Sequence, residues 1–354
     1  MRALAVIGAV GARTALGATA LHTGFLLRAG RAAMMEAPLV DGAEEPITAC
    51  FLSTLDPLRV GAERASELAL GALREALAPI AEAAPTLRMK IVLCIDEHFA
   101  TRRPDGPPLA ELLLSSVQAQ ARAIVPRIAV EGCARGAASV GFALDEALQA
   151  LRGPFDAVLL GGVHTDYDPA IIAGLEASGR LYKNDHLDAL IPGEGAAFAL
   201  ITRPEVANRL GLRACAQIHS VATAFDKARP DNDESAYEAI GLTVALRKAG
   251  APLLEAGRQA GWVLTDFTFE RYRHYEWQSA SIRARKMLCE PHYLDSPAQR
   301  LGHLGAAAMP MHMALAYEAW RRGYAPHGVA MSVAGSDGGE RAVVVMSGGE
   351  RRSW

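Results

Sequence analysis

The fold of this chain is indicated by residues 130–141, which read Val-Glu-Gly-Cys-Ala-Arg-Gly-Ala-Ala-Ser-Val-Gly. The stretch sets one cysteine, Cys133, among small residues where an apolar extended segment gives way to a helical pattern. We expect Cys133 at the N-terminus of that helix, where unpaired N–H groups and the helix dipole favour a thiolate. Cys133 is therefore a candidate sulfur nucleophile. The alternative is a small core residue, because free cysteines are among the most buried residues.

Short apolar runs alternate with helical patterns on both sides of this stretch. Such runs occupy residues 4–10, 90–96 and 155–163, and again 212–221 and 261–267. Continuous apolar strands separated by helices are typical of sheets that are buried on both faces. The sequence therefore predicts an α/β fold. Because the pattern starts over after Pro204, we divide the chain into an N-terminal half, residues 1–204, and a C-terminal half, residues 205–354.

The composition excludes several functions. The 354 residues carry a net charge of −3 without a stripe of Lys and Arg among aromatic residues, so we expect no nucleic-acid partner. No apolar run reaches the ~20 residues that cross a bilayer, so we expect no membrane span. The five cysteines are scattered and form no Cys-x-x-Cys pair, which argues against disulfides and structural zinc. We therefore expect a cytoplasmic protein without metal or cofactor.

Six motifs, taken in order, resemble the thiolase-like β-ketoacyl synthase family. They are an opening strand and turn, a nucleophile elbow, a glycine-rich strand end, a Gly-Glu-Gly turn, a histidine-bearing helix start and a last glycine turn, at residues 6–17, 132–136, 161–163, 192–196, 302–307 and 338–339. The resemblance covers almost the whole chain. It implies a five-layered αβαβα thiolase fold of two pseudo-symmetric halves, a dimer, and an acyl thioester of an acyl-carrier protein or coenzyme A as the substrate.

The resemblance also assigns roles to individual residues. Cys133 would accept the acyl group, and His303 would serve as its base or oxyanion partner, although a histidine at a helix start is as often a structural hydrogen-bonding residue. Glu194 would brace the active-site loops. The substrate-binding residues would be Gly335, Ser336, Asp337 and His164, with backbone N–H groups of Cys133 and the Gly335–Ser336 region forming an oxyanion hole. His164 is equally well explained as a solvated loop residue.

The departures from the family pattern bear on the reaction. Asp266 stands where condensing members carry their first catalytic histidine, and a carboxylate there repels the enolate that decarboxylation of a malonyl thioester creates. The family lysine is missing near Ala298, and the spacing between His303 and Gly305 leaves the register of His303 open. Asp337 replaces a gating phenylalanine. Asp266 then either orients His303, forms an ion pair with Arg271 or Arg273, or caps a turn.

Two functions follow from these observations. The first is a divergent acyltransferase, in which Cys133 takes an acyl group from the carrier protein or coenzyme A and His303, with Asp266, moves the proton. The second is a catalytically degenerate homologue that serves as a chain-length-factor-like partner of an active synthase, or as an acyl-binding module anchored by Arg271 and Arg273. We expect either a homodimer or a heterodimer with a synthase homologue, and only the acyltransferase forms a covalent adduct.

Overall fold

The computed structural model describes residues 3–83, 86–101 and 108–349. Within these residues the strands are β1 (Ala5–Thr14), β2 (Met35–Val40), β3 (Pro46–Ala49), β4 (Met89–Ile95), β5 (Ile128–Ala134), β6 (Ala157–Thr165), β7 (Glu194–Thr202), β8 (Ala216–Phe225), β9 (Ala260–Thr265), β10 (Leu288–Asp295), β11 (Val329–Gly335) and β12 (Glu340–Gly348). The helices are α1 (Ala20–Arg28), α2 (Gly61–Leu77), α3 (Glu97–Ala100), α4 (Leu109–Arg122), α5 (Ser139–Arg152), α6 (Pro169–Ala177), α7 (Pro204–Arg209), α8 (Ile240–Glu255), α9 (Arg271–Arg283), α10 (Ala298–Leu301) and α11 (Ala308–Arg322).

Ten of the strands form one mixed sheet with the same strand order in both halves. The N-terminal strands lie in the order β5-β4-β6-β7-β1, and the C-terminal strands in the order β10-β9-β11-β12-β8. In each half the first three strands of this order run parallel to one another, and the fourth strand is antiparallel to both of its neighbours. The halves join where β1 pairs antiparallel with β8 over three residue pairs. The division at residue 204 remains our proposal.

Helices cover both halves and also lie between them. α2 and α4 pack on the N-terminal strands, and α8, with α9 against it, packs on β8 and β12. α5 contacts β4 and β6 of one half and β8 and β12 of the other, while α11 contacts β1 and β7 as well as β11 and β12. α5 and α11 therefore form a middle layer. The predicted five-layered αβαβα thiolase fold is confirmed.

The middle helix α11 shows why its sequence folds in this place. Every residue from Ala308 to Ala319 is buried, and a helix that is apolar all round needs partners on all its faces. The two halves supply them, since residues of both contribute to the apolar cluster around α5 and α11. No helix among the described residues has both the length and the apolar character that a membrane span requires.

The turn before α5 differs from the sequence prediction. Cys133 lies on β5, paired in register with Cys94 of β4, and α5 begins six residues later at Ser139. The expectation that Cys133 stands at a helix N-terminus is therefore wrong. The chain reverses only at Gly136, whose φ of +55° is a left-handed conformation that glycine adopts without steric cost. The residues that open the helix are those of the Gly136–Ala138 turn.

Candidate functional site

A small charged pocket opens beside the turn that precedes α5. It is lined by Ala137 and Arg180 of the N-terminal half and by Asp266, Thr268, Glu270, Tyr272, Arg273, His303, Leu304, Gly305, Ala308, Gly335 and Asp337 of the C-terminal half. Its volume of about 30 Å³ has room for one or two water molecules rather than an acyl chain. Among the described residues that line it there is no cysteine and no serine.

Ala137 is the residue of the turn before α5 that lines the pocket. It lies in the first turn before the buried helix α5 and lines the pocket together with Asp266 and His303. Cys133 does not line this pocket. The structure thus brings two of the three predicted catalytic residues to one pocket and leaves the third on β5.

The surroundings of Cys133 are those of a half-buried strand residue. Its thiol donates a hydrogen bond to the carbonyl of Ser139 across 3.7 Å. The pKa of Cys133 is lowered, first by the neighbouring Cys94 thiol and then by the Ser139 contact, against the opposing effect of burial. Burial raises the pKa of Cys94 well above its ordinary value. Of the two thiols, Cys133, the more exposed, therefore loses its proton at the lower pH.

Asp266 forms a buried ion pair with Arg273, one of the roles that the sequence left open. Its side chain is only 8% exposed; Oδ1 accepts a hydrogen bond from Arg273 at 2.9 Å and Oδ2 accepts one from the Gly335 N–H at 2.8 Å. Arg273 also pairs with Glu276 at 2.5 Å, and Glu276 with Arg341 at 2.6 Å. No hydrogen bond between Asp266 and His303 occurs among the contacts of the described residues, so Asp266 belongs to a chain of alternating charges.

The arginines that we considered as anchors for an acidic ligand are engaged within the protein. Arg273 lies between two carboxylates, which together raise its pKa against the lowering effect of burial. Arg271 lies outside the pocket and donates to Asp188 through both its backbone N–H, at 2.7 Å, and its guanidinium, at 2.6 Å.

Two of the backbone groups expected to form an oxyanion hole, the N–H groups of Gly335 and Ser336, have partners already. The Gly335 N–H donates to Asp266, and the Ser336 N–H donates to the carbonyl of Glu340 at 2.9 Å. The Ser336 hydroxyl accepts a hydrogen bond from the Ala138 N–H at 2.9 Å and donates to the Arg135 carbonyl, so it fastens the turn before α5. These groups hold the turn in place and are not free to bind a substrate oxygen.

Ion pairs close the outer side of the pocket. Arg180 pairs with Glu270 at 2.7 Å and with Asp337 at 2.6 Å, and the side chain of Asp337 is 55% exposed. Burial lowers the pKa of Arg180, but the two carboxylates raise it by more. Asp337 is therefore part of a charged rim.

His164 and His303 meet in a buried cluster behind the pocket. His164 is the last residue but one of β6 and is buried, so the alternative of a solvated loop residue is wrong. Its Nδ1 lies 2.6 Å from Oδ2 of Asp96, and its Nε2 lies 3.0 Å from Oδ2 of Asp166. The same Asp166 oxygen lies 3.2 Å from Nδ1 of His303, whose ring packs edge-on against that of His164 at 4.4 Å.

The cluster shifts the pKa values of its members. Burial lowers the pKa of His164, but Asp166 and Asp96 raise it to well above its ordinary value. Burial raises the pKa of Asp166, and the two histidines lower it to well below its ordinary value. His303 is the member that also reaches the pocket, with 28% of its side chain exposed.

Glu194 makes the contacts that a bracing residue would make. Its fully buried carboxylate accepts hydrogen bonds from Arg64 at 2.6 and 2.7 Å, from the Leu52 N–H at 2.7 Å and from the Thr165 hydroxyl at 2.9 Å. Thr165 lies between His164 and Asp166 in the sequence. Glu194 therefore fixes the chain segment that carries two members of the cluster.

Sequence reasoning missed Asp96, Asp166, Arg180 and Glu270. A signal existed for two of them. Asp96 follows β4 and Asp166 follows β6, and these parallel strands are neighbours in the sheet. Polar residues at the carboxyl ends of adjacent parallel strands are typical of ligand sites. The ion pairs of Arg180 join segments far apart in the chain, so no local pattern predicts them.

The comparisons with known proteins agree with the architecture. No protein-family model matches the chain, and no curated protein matches it significantly. Among solved structures, the oxazolomycin ketosynthase domain OzmH KS7 of Streptomyces albus JA3453 superposes with a TM-score of 0.77 at 17% identity, over 99% of this chain and 76% of that one. The ishigamide ketosynthase/chain length factor superposes with a TM-score of 0.77 at 19% identity, over 98% and 99% of the two chains.

A third structure is the complex AntDE:AntF, a type II polyketide-synthase acyl-carrier protein with its ketosynthase bound to the hexaketide. It superposes with a TM-score of 0.75 at 15% identity, over 98% of this chain and 99% of that one. The fold is thus of the thiolase-like class. Within that class this chain has the architecture of the ketosynthases, and the resemblance read from the six motifs is confirmed at the level of the fold.

Proposed function

We propose that this chain is a non-condensing ketosynthase homologue that acts as the partner subunit of an active synthase. One observation carries the proposal: the residue of the turn before α5 that lines the pocket is Ala137, whose methyl group cannot attack a thioester. A covalent mechanism needs a nucleophile within about 2.6–3.2 Å of its base or joined to it through water. His303 reaches the pocket, but the pocket offers it no thiol.

Other features of the pocket support the same conclusion. The Gly335 and Ser336 N–H groups that would stabilise an oxyanion are engaged by Asp266 and Glu340. Asp266, in place of the first histidine, carries a charge of the wrong sign for an enolate. A cavity of about 30 Å³ leaves no room for the acyl chain that a condensing enzyme must hold. Each of these features weakens the condensation reaction, and the first two share Asp266.

The edge strand β5 supports the role of a partner subunit. β5 ends the sheet and pairs only with β4 among the described strands, and Ala129 and Glu131 on it are exposed. An edge strand offers unpaired N–H and C=O groups to a strand of another chain. We place the contact with a synthase homologue at this edge, in the cytoplasm, and an acyl-carrier protein as the further partner of the pair.

The covalent chemistry is tested by intact mass after incubation with acyl-coenzyme A and acyl-carrier thioesters. We compare the wild type with Cys133→Ala and Ala137→Cys. We expect no acyl-sized mass gain for the wild type, and a gain for Ala137→Cys with the acetyl donor, because that change puts a thiol beside His303. A gain for the wild type that is lost in Cys133→Ala would contradict the proposal, because it would establish a covalent thioester at Cys133 and leave the acceptor to be found.

The partner role is tested by light scattering after size-exclusion chromatography, with the chain alone and mixed with type II ketosynthases. We expect a heterodimer with at least one of them. Ala129→Lys puts a charge on the exposed face of β5 and should prevent that dimer. Tyr293→Lys makes the same change on β10, the opposite edge, where the side chain is 54% exposed, and should leave the dimer intact. Monomers in every mixture would contradict the proposal.

A further inference from the structure

We propose that His164, Asp166 and His303 form a binding site for a divalent transition metal such as Zn²⁺. Two imidazoles and one carboxylate are a ligand set that proteins use for zinc and for non-haem iron(II). The site goes beyond the proposed partner role and does not depend on it. Nothing in the spacing of these residues indicated a metal, because the three come from separate segments of the chain.

The distances between the donor atoms fit one metal ion. Ligands that each lie about 2.0–2.2 Å from one metal lie about 3.0–3.5 Å from one another in tetrahedral or octahedral geometry. Oδ2 of Asp166 lies 3.0 Å from Nε2 of His164 and 3.2 Å from Nδ1 of His303. All three donors lie within 4.8 Å of one another, so only the two nitrogens would have to approach.

His164 supplies an independent sign of a ligand. Its Nε2 is buried and makes no hydrogen bond, even though Oδ2 of Asp166 lies 3.0 Å away. A buried nitrogen that makes no hydrogen bond is costly, and native structures rarely keep one unless a water or an ion satisfies it. The proposed ion would lie between this nitrogen and its ion-pair partner Asp166.

Asp96 contacts the other ring nitrogen of His164, Nδ1. Its Oδ2 lies 2.6 Å from Nδ1 of His164, and its Oδ1 accepts the Ala306 N–H at 2.9 Å. A carboxylate that holds the second nitrogen of a ligating histidine fixes the tautomer and presents the Nε2 lone pair to the metal. Metal-binding histidines commonly have a carboxylate in this position.

One divalent cation would balance the charges of the two buried carboxylates in this cluster. Asp96 and Asp166 are both buried, and their ion pairs in the described structure are with histidines only. Buried charges need compensation, and one divalent cation neutralises the two carboxylates with both imidazoles neutral. Protonation of both histidines would give the same balance without a metal, and the experiment must separate these two states.

His303 gives the ion a route to solvent. It is the exposed member of the three and also lines the pocket with Gly305 and Asp266. Three protein ligands leave a coordination position open for water or for an anionic group. That position is on the pocket side, because Asp96 and the Ala306 turn close the other side.

The experiment is a titration of the chelator-treated full-length protein with ZnCl₂ in competition with a chromophoric chelator. We expect one equivalent of tightly bound zinc. His303→Ala should weaken binding by more than about 100-fold and Asp96→Asn by about 10- to 100-fold, the range found for carboxylates behind a metal-binding histidine. His303 is half-buried, which makes its variant the least disruptive of the set, and circular dichroism verifies the fold of each.

Cys289→Ser is the matched control, because the Cys289 thiol and the His327 imidazole are a separate pair of metal-binding groups, 3.9 Å apart. Zinc binding that persists in His303→Ala and disappears in Cys289→Ser would overturn the proposal. Nitrogen-15 NMR of the wild-type histidines requires no variant. On adding ZnCl₂ we expect metal-coordinated signals for His164 Nε2 and His303 Nδ1. If both rings are imidazolium and zinc leaves their signals unchanged, the proposed metal site is equally overturned.

Discussion

The ion pair between Arg64 and Glu194 is buried, and the decrease in the free energy of unfolding when it is removed follows from its contacts. The two side chains are 2% and 0% exposed, and Glu194 accepts two hydrogen bonds from Arg64. Glu194→Leu leaves the guanidinium without its carboxylate. It also leaves the Leu52 N–H and the Thr165 hydroxyl without their acceptor.

Breaking a buried ion pair on one side costs about 3–5 kcal/mol, because a buried charge is left uncompensated. Arg64 keeps its stacking on the Tyr167 ring at 3.7 Å and its hydrogen bonds to the Leu52 and Asp56 carbonyls, which offset part of that cost. We therefore expect Glu194→Leu and Arg64→Met each to lower the free energy of unfolding by about 4 kcal/mol. The double variant removes both charges and should cost at least about 2 kcal/mol less than the sum.

The assay is urea unfolding followed by tryptophan fluorescence, with the slope against denaturant checked in every variant. Glu67→Leu is the control, since Glu67 pairs with Arg59 at 2.9 Å on the surface, where such pairs are worth about 0–1 kcal/mol. Additive costs in the double variant, or a loss below about 1 kcal/mol in Glu194→Leu, would refute the account of Glu194 as the brace of the cluster segment.

Two further predictions concern close packing and pH. Gly162→Ala should destabilise the protein by several kcal/mol, because the added Cβ would lie 2.1 Å from the backbone oxygen of Ala306. In the control Gly174→Ala, in α6, the added Cβ meets open space, so that variant should be neutral or stabilising by up to about 1 kcal/mol. Equal melting temperatures for the two variants would contradict this prediction. Burial lowers the pKa of His312 from 6.5 to about 4, so the unfolded chain takes up the proton first and stability is lost as the pH falls from 6.5 through 4. His312→Gln, compared with the wild type at pH 7 and pH 4, should lose about 3 kcal/mol less on acidification, and parallel pH profiles of the two proteins would exclude this role.

The sequence by itself determined the fold class, and it did so through local patterns. Apolar runs that end in glycine predict buried strands, and the small residues of the motifs permit the close contacts seen at Gly162 and at the turn before α11. The pattern of strands and helices, which starts over after Pro204, indicated two halves, and the strand order within each half came only from the structure. These features depend on residues near one another in the chain, where steric and hydrophobic preferences act without a partner.

Only the tertiary structure decided which side chains meet. Ala137 rather than Cys133 reaches the pocket because β5 stays paired to β4 through Ala134 and the chain turns at Gly136. Sequence patterns do not fix the ends of helices and strands to the residue, so they do not show which residue near a tight turn lines a pocket. The His164 and His303 cluster depends on β4, β6 and the turn before α11 packing together, and contacts between distant segments form only when the whole chain excludes water from the core between them.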